Sequence, residues 1–505
     1  MSEPATRAGR REWIGLAVIA LPCMLYSMDL TVLNLALPSL SAALQPSATQ
    51  LLWIGDVYGF TVAGFLITMG TLGDRIGRRR LLMIGAGAFG VASVLAAFST
   101  SAAQLIASRA VLGIAGATLA PSTLSLIRNM FHEPHERRFA IGVWIASYSA
   151  GAALGPALGG MLLAFFWWGS VFLIGVPVMV LLLIVGPVLL PEYRDPQAGR
   201  IDPTSAALSL AAVLAIIFGI KQIAADGMAW PWAAAIVTGV VIAAVFVVRQ
   251  SRLADPLIDL RLFRRPAFSA ALAIYALATF IVFGPYVFVG QFIQLVLGLS
   301  PLMAGLWTIP FSIAFIVGSM LSPLATRTMR PGYLMAAGLL VAAVGYTLLA
   351  RVDGSTGIGT LVCIFVLYAL GVAPAFTLAT DIVVGNAPPE RAGAASALSE
   401  TGSEFGGALG IAILGSIGTA IYRSDLAARA PLGLAPDVLE TARSTLGAAL
   451  SVAAQLGGEQ STALIEAVRS SFVESLQAIA AIAAALTLVT AIVAAVALGR
   501  ATRAP

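Results

Sequence analysis

Gly70-Thr-Leu-Gly-Asp-Arg-Ile-Gly-Arg-Arg-Arg-Leu81 is a tight basic turn set between two apolar runs, 51–72 and 81–99. Each run is about the 20 residues that a helix needs to cross a hydrocarbon core. Gly70, Gly73 and Gly77 leave room for two helices to meet closely at the turn. Arg75 and Arg78 bring charge to it, and Asp74 suits a helix N-terminus, where the dipole favours an anion. The stretch therefore predicts a helical hairpin in a membrane, with its basic turn at the inner face.

Outward from this turn the pattern repeats. Apolar runs fall at 13–37, 51–72, 81–99, 104–127, 140–163, 168–190, 205–222, 231–248, 268–290, 301–322, 333–350, 358–380, 393–421 and 473–499. That is about fourteen spans, with 205–248 open to a second reading as a re-entrant pair. The first run is long, carries Asp29 and lacks a following small-residue cleavage site, unlike a cleavable signal peptide. Composition agrees. Hydrophobic residues make up 59% of the 505 and charged residues only 10%, against about 25% charged in a soluble chain. Cys23 and Cys363 form no ligand or disulfide pattern.

With the N-terminus inside, 22 of the 29 basic residues fall on inner loops and termini. The short outer loops hold only Lys221 and Arg351. This bias predicts both termini in the cytoplasm. It also explains the net charge of +5 without nucleic acid as a partner; the inner loops would lie against membrane lipids. The long outer loop 422–472 predicts one or two amphipathic helices.

Ionisable groups inside spans are costly, about 2.5–3.5 kcal/mol on insertion scales, and normally face an interior cavity. Asp29, Asp56, Arg109, Glu400 and Glu404 are the candidates for proton coupling and cation binding. Glu400 and Glu404 share one helix face by their i, i+4 spacing, close enough to compete for a proton. Arg109 could neutralise one aspartate and leave the other available, or form a pair that only holds helices in register. Lys221 reads as a snorkelling end residue and Asp381 as a solvated carboxylate at a helix end. His132 and His135, around a proline on an inner loop, make a poor metal site. No catalytic or metal-binding set is expected: HExxH, GxSxG and the P-loop pattern are absent.

A second glycine pattern, Gly151-Ala-Ala-Leu-Gly-Pro-Ala-Leu-Gly-Gly160, places small residues at every fourth position of the fifth span. Gly151, Gly155 and Gly159 permit close packing; Pro156 bends the helix, and Gly160 adds a further small residue. The 70–81 turn resembles the loop signature of the major facilitator superfamily. The Gly151–Gly160 stretch resembles the motif of its drug:proton antiporter branch. Leu105 to Ala117, with Arg109, Gly113 and Gly116, looks like the fourth-span motif. Asp29-Leu-Thr-Val-Leu-Asn-Leu-Ala-Leu-Pro38, Trp53-Ile-Gly-Asp-Val-Tyr58 and Glu400-Thr-Gly-Ser-Glu404 are similar to the fourteen-span QacA/SmvA/LfrA group of that branch.

The resemblance covers the whole chain and implies an all-α integral membrane protein of the major facilitator fold. Two six-helix bundles, 1–192 and 264–505, would flank an extra helix pair at 193–263. It implies proton-coupled export of lipophilic cations, such as quaternary ammonium compounds and dyes, by alternating access. By motif matching, Asp29, Asp56, Glu400 and Glu404 carry cation recognition or coupling, Arg109 carries coupling, and Gly70, Gly73, Asp74, Arg75, Gly77 and Arg78 form an inner gate. The tenth span, Trp307 to Val317, lacks the acidic residue of members that handle divalent cations. The second half keeps only a remnant of the inner-loop signature, Ala325–Arg330.

Trp53, Tyr58, Trp144, Tyr148, Phe283, Tyr286, Trp307 and Phe405 are candidates to line the pocket, since a cation over an aromatic face gains about 0.5–2 kcal/mol. No cofactor is expected; the proton gradient would drive a monomer. The rival expectation is a facilitator exporting a physiological substrate such as a siderophore, a lipid or a self-made antibiotic.

Overall fold

The computed structural model describes residues 7–194, 202–253, 255–431 and 434–499, and within them every regular element is a helix. The first six crossing helices are α1 (Arg10–Leu44), α2 (Ala48–Ile76), α3 (Arg78–Ala97), α4 (Ala102–Met130), α5 (Pro134–Phe165) and α6 (Ser170–Leu189). Then come α7 (Pro203–Asp226) and α8 (Trp230–Arg252), followed by α9 (Pro266–Gln291), α10 (Pro301–Ala325), α11 (Pro331–Leu349), α12 (Ile358–Asn386) and α13 (Ala392–Arg429). Two short helices, α14 (Pro436–Ser444) and α15 (Leu446–Leu456), precede the last crossing helix, α16 (Gly458–Val493). Among the described residues, fourteen helices are long and apolar enough to cross a membrane.

Local chemistry sets the helix starts. Ser47 accepts from the Gln50 amide while the Gln50 side chain accepts from the Ser47 amide, a reciprocal cap. Ser101 and Ser300 cap α4 and α10 in the same way on one side. Proline opens α5, α7, α9, α10, α11 and α14, where its missing N–H costs nothing. Between α2 and α3 the chain reverses at Gly77, whose φ of +110° needs a residue without Cβ. The Glu192 carboxylate then accepts from the Arg79 and Arg80 amides and caps α3.

Two glycine ladders hold the bundles together. Cβ atoms at Gly151 and Gly155 would collide with the Met24 carbonyl and the Thr31 hydroxyl of α1, and one at Gly159 would press on Val32. Gly160 faces open space. The second bundle repeats the arrangement. Gly402 faces Leu272, and Cβ atoms at Gly406 and Gly410 would collide with the Ala276 and Phe280 carbonyls of α9.

The segment 205–248 is a full-length antiparallel pair, not a re-entrant one: α7 has 24 residues and α8 has 23. Gly219 lies against the Trp232 carbonyl and Gly239 against the Ala212 carbonyl, so the two helices pack tightly. α7 then docks on α2, with Leu210 and Leu214 against Gly64. The outer segment 422–472 is mostly an extension of its flanking spans. α13 has 38 residues, about 57 Å at 1.5 Å per residue, well beyond a hydrocarbon core of about 30 Å. Among its described residues, α14 and α15 are the separate helices there.

Candidate functional site

The arginine-rich turns gather at one end of the molecule, here called the basic face. Both ends of the described chain lie there: the Ala8 amide donates to Glu136 and Arg330 donates to the Gly499 carbonyl. Two ion-pair clusters join the bundles at this face. In the first, Arg78 is fully buried; its Nε donates to Asp74 Oδ1 at 2.8 Å and its Nη2 to the Pro389 carbonyl at 2.7 Å. Asp74 also accepts from the Gly393 and Ala394 amides, both at 3.0 Å. The helix N-terminus expected for Asp74 is thus that of α13, across the bundle interface. Gly70 touches the Gly393 carbonyl and Ala397, Gly73 packs on Leu81, and Arg75 pairs with Asp255 at 3.0 Å.

The second cluster corrects an expectation. Asp381 is not a solvated helix end; it is only 4% exposed and binds Arg137 at 2.8 Å and Arg138 at 3.0 Å. Arg138 also reaches the Thr326 hydroxyl. This pairing occupies the place where the second half lacks its own loop signature. Among the described residues, the hydrogen bonds joining the bundles lie at the basic face, with one exception: Tyr26 to Glu404.

That exception marks the mid-membrane site. Glu404 lies 12 residues along α13 from Ala392, about 18 Å from the basic end. It accepts from Tyr26 Oη at 3.1 Å, and Glu400 accepts from Tyr275 Oη at 3.3 Å. Neither carboxylate has an ion-pair partner among the described residues. The Tyr26 ring lies 6.0 Å from Tyr58 and 5.6 Å from Tyr148, and Tyr148 lies 4.8 Å from Trp144. Trp144 is anchored by its Nε1 to Thr123 at 2.9 Å. The Tyr58 hydroxyl is buried against Gly116 of α4, without a hydrogen-bond partner among the described residues.

The other candidates spread around this centre. Arg109 pairs with Asp29 at 3.3 Å, donates to the Ile54 carbonyl at 2.5 Å, and lies under the Tyr58 and Phe172 rings. Asp29 lines a small cavity between α1, α3 and α6, inside the first bundle and not in the cleft between the two. Asp56 is not left available: Lys221 of α7 binds it at 2.5 Å, so Lys221 is no snorkelling residue. Trp53 packs beside Phe60, and Phe405 packs against Phe60, Val213 and Ile217. Those two rings line the wall toward α7. Phe283 and Tyr286 are 6.2 Å apart and exposed on α9; Trp307 is half-buried on α10. Tyr26 and Tyr275, the direct partners of the glutamates, were not among the sequence candidates. The available hint is that Tyr26 lies one helical turn before Asp29.

The pattern described as Major Facilitator Superfamily matches residues 19–411. The chain is 44% identical over 467 residues to the "Multidrug efflux pump LfrA" of Mycolicibacterium smegmatis, covering 92% of each. It is 36% identical over 475 residues to the "Methyl viologen resistance protein SmvA" of Salmonella typhimurium, covering 92% of this chain and 94% of the other. It is 33% identical over 418 residues to the "Tetracenomycin C resistance and export protein" of Streptomyces glaucescens, covering 82% and 77%. Among solved structures, the human organic anion transporter MFSD10 superposes with a TM-score of 0.63 at 15% identity, over 96% of this chain and 99% of that one.

Proposed function

We propose, on the premise that this chain belongs to the major facilitator superfamily and is a multi-pass protein of the cytoplasmic membrane, that it exports lipophilic cations in exchange for protons. The observation that carries this reading is the Glu400–Glu404 pair. Two carboxylates at mid-depth, held by tyrosine hydroxyls and by no guanidinium, can exchange a proton for an organic cation. A carboxylate already neutralised by arginine has less reason to bind either.

The basic face is cytoplasmic in this reading, and the structure has that face closed. Substrate enters from the inner leaflet or cytosol when the Asp74 and Asp381 clusters part, and leaves toward the far face when they rejoin. Tyr26, Tyr58, Tyr148 and Trp144 supply aromatic faces for a cation and few directional groups, which suits broad specificity. The bundles alternate as units and protons supply the driving force.

Uptake of ethidium by energised inverted vesicles tests this. Accumulation that stops on collapsing the proton gradient is expected; accumulation that persists would remove proton coupling. Methyl viologen, a dication and the compound in one relative's name, belongs in the same assay, because the tenth span lacks an acidic residue for a second charge. A second reading, export of a self-made antibiotic, is favoured by the tetracenomycin relative. It would be chosen if neither cation accumulates with the protein present.

A further inference from the structure

Lys221 is the only lysine in the 505-residue chain, and it sits on the extra helix pair, not on either bundle. Its ammonium meets Asp56 at 2.5 Å and lies 4.8 Å from the centre of the Phe60 ring. Trp53 packs against the same ring at 6.0 Å, and Phe218, from the helix that carries the lysine, lies 6.4 Å from it. A carboxylate beside aromatic faces is the chemistry that recognises an organic cation. Here the protein fills such a site with a cation of its own.

A purely structural staple is a poor account of this pair. The two side chains are 36% and 44% exposed, and an exposed pair adds little stability. α7 and α8 are already held at the opposite end. Asp202 accepts from Arg249 at 2.7 Å, Gln250 bridges Ser205 and the Leu257 amide, and Thr71 of α2 donates to the Leu257 carbonyl at 3.2 Å. Phe405, next to Glu404 on α13, packs on the cluster that contains Phe60, so the pair adjoins the mid-membrane site.

We infer that Lys221 is a tethered competitor for substrate: it occupies the Asp56–Phe60 site while the basic face is sealed, and a monovalent lipophilic cation must displace it to bind there. The lysine thereby expels a departing cation and blocks its return. This rests on the cation-export reading above.

A single lysine makes the test direct. Purified wild-type protein is treated with an amine-acetylating reagent, and the Lys221 peptide is followed by mass spectrometry with and without tetraphenylphosphonium. Binding of the phosphonium is measured separately by equilibrium dialysis. Displacement from Asp56 should raise the acetylation rate about threefold, the scale of a half-exposed ion pair, with half the rise at the measured Kd. Lys221→Gln should bind the phosphonium several-fold more tightly, and Lys221→Arg should match wild type. Phosphonium that binds while Lys221 acetylation stays constant or slows would overturn the competition and leave cation export standing. Absence of phosphonium binding to wild type would remove the cation reading and this inference together. The acetylation arm needs no variant, so a misfolded Lys221→Gln does not blunt it.

Discussion

Asp74 and Asp381 at the basic face are buried and Glu400 and Glu404 at mid-depth are half-buried; all four carboxylates lie at or near the bundle interface, yet their partners differ in kind. Asp74 accepts from a guanidinium and two backbone amides, and Asp381 is gripped by two arginines. Among the described residues, the glutamates accept only from tyrosine hydroxyls. Removing one member of a buried ion pair leaves an uncompensated charge, at a cost of about 3–5 kcal/mol, so the basic-face clusters act as clasps. A carboxylate with neutral donors can lose its charge to a proton and strand nothing. Placement in the membrane does not by itself say what an acidic residue does; its partner does.

Glu404→Gln should have the largest effect on this contrast. It keeps the Tyr26 hydrogen bond and removes the titrating group, so ethidium accumulation in inverted vesicles should fall more than tenfold, to the level of vesicles without a proton gradient. Wild-type accumulation would move the proton site elsewhere. Asp74→Asn comes next. It leaves buried Arg78 without its carboxylate and weakens the cap on α13, so the sealed state loses stability while the glutamate site is untouched. A Ser396→Cys probe, in protein with Cys23→Ser and Cys363→Ser, should react with a water-soluble thiol reagent at least tenfold faster when Asp74→Asn is added. Ser396 is fully buried beside the first cluster, so an unchanged rate would mean that Asp74 does not keep the face shut.

Asp202→Asn should do least. The Arg249 guanidinium, with Ser205 and the Thr204 amide, holds the Asp202 carboxyl well below the usual carboxylate range. Its contribution is therefore fully present above the unfolded value of about 3.9 and fades as pH falls toward the folded value. Thermal unfolding in detergent should show a small wild-type advantage that is constant from pH 6 to 8 and shrinks below about pH 4. An advantage that changes between pH 6 and 8 would assign the linkage to another group.

The spans were legible because each needs about twenty apolar residues, and the sequence marks them with polar turns. The ladder Gly151–Gly155–Gly159 was legible for a similar reason, as periodic small residues have few other uses in a membrane helix. Its counterpart Gly402–Gly406–Gly410 is as regular, but it interleaves with Glu400 and Glu404, whose charges dominate any reading of that stretch. Pairings were not legible. Lys221 meets Asp56 across 165 positions and Arg137 meets Asp381 across 244, and no local pattern encodes a meeting at that distance. Tyr26 and Tyr275 were hidden differently: a tyrosine in an apolar helix reads as packing until its hydroxyl is seen to have a carboxylate.

α13 begins at the clasp on Asp74, carries both glutamates and runs beyond the membrane to Arg429 without a break. These stations share one beam. A pull at its foot is felt at the glutamates as a change of height or tilt, with no relay of side chains between them. A beam keeps time only while it stays stiff, and this one is threaded with glycines wherever it lies against α9. Its neighbour is thus its splint: loosening α9 from α13 would leave clasp and glutamate pair each intact and no longer moving in step.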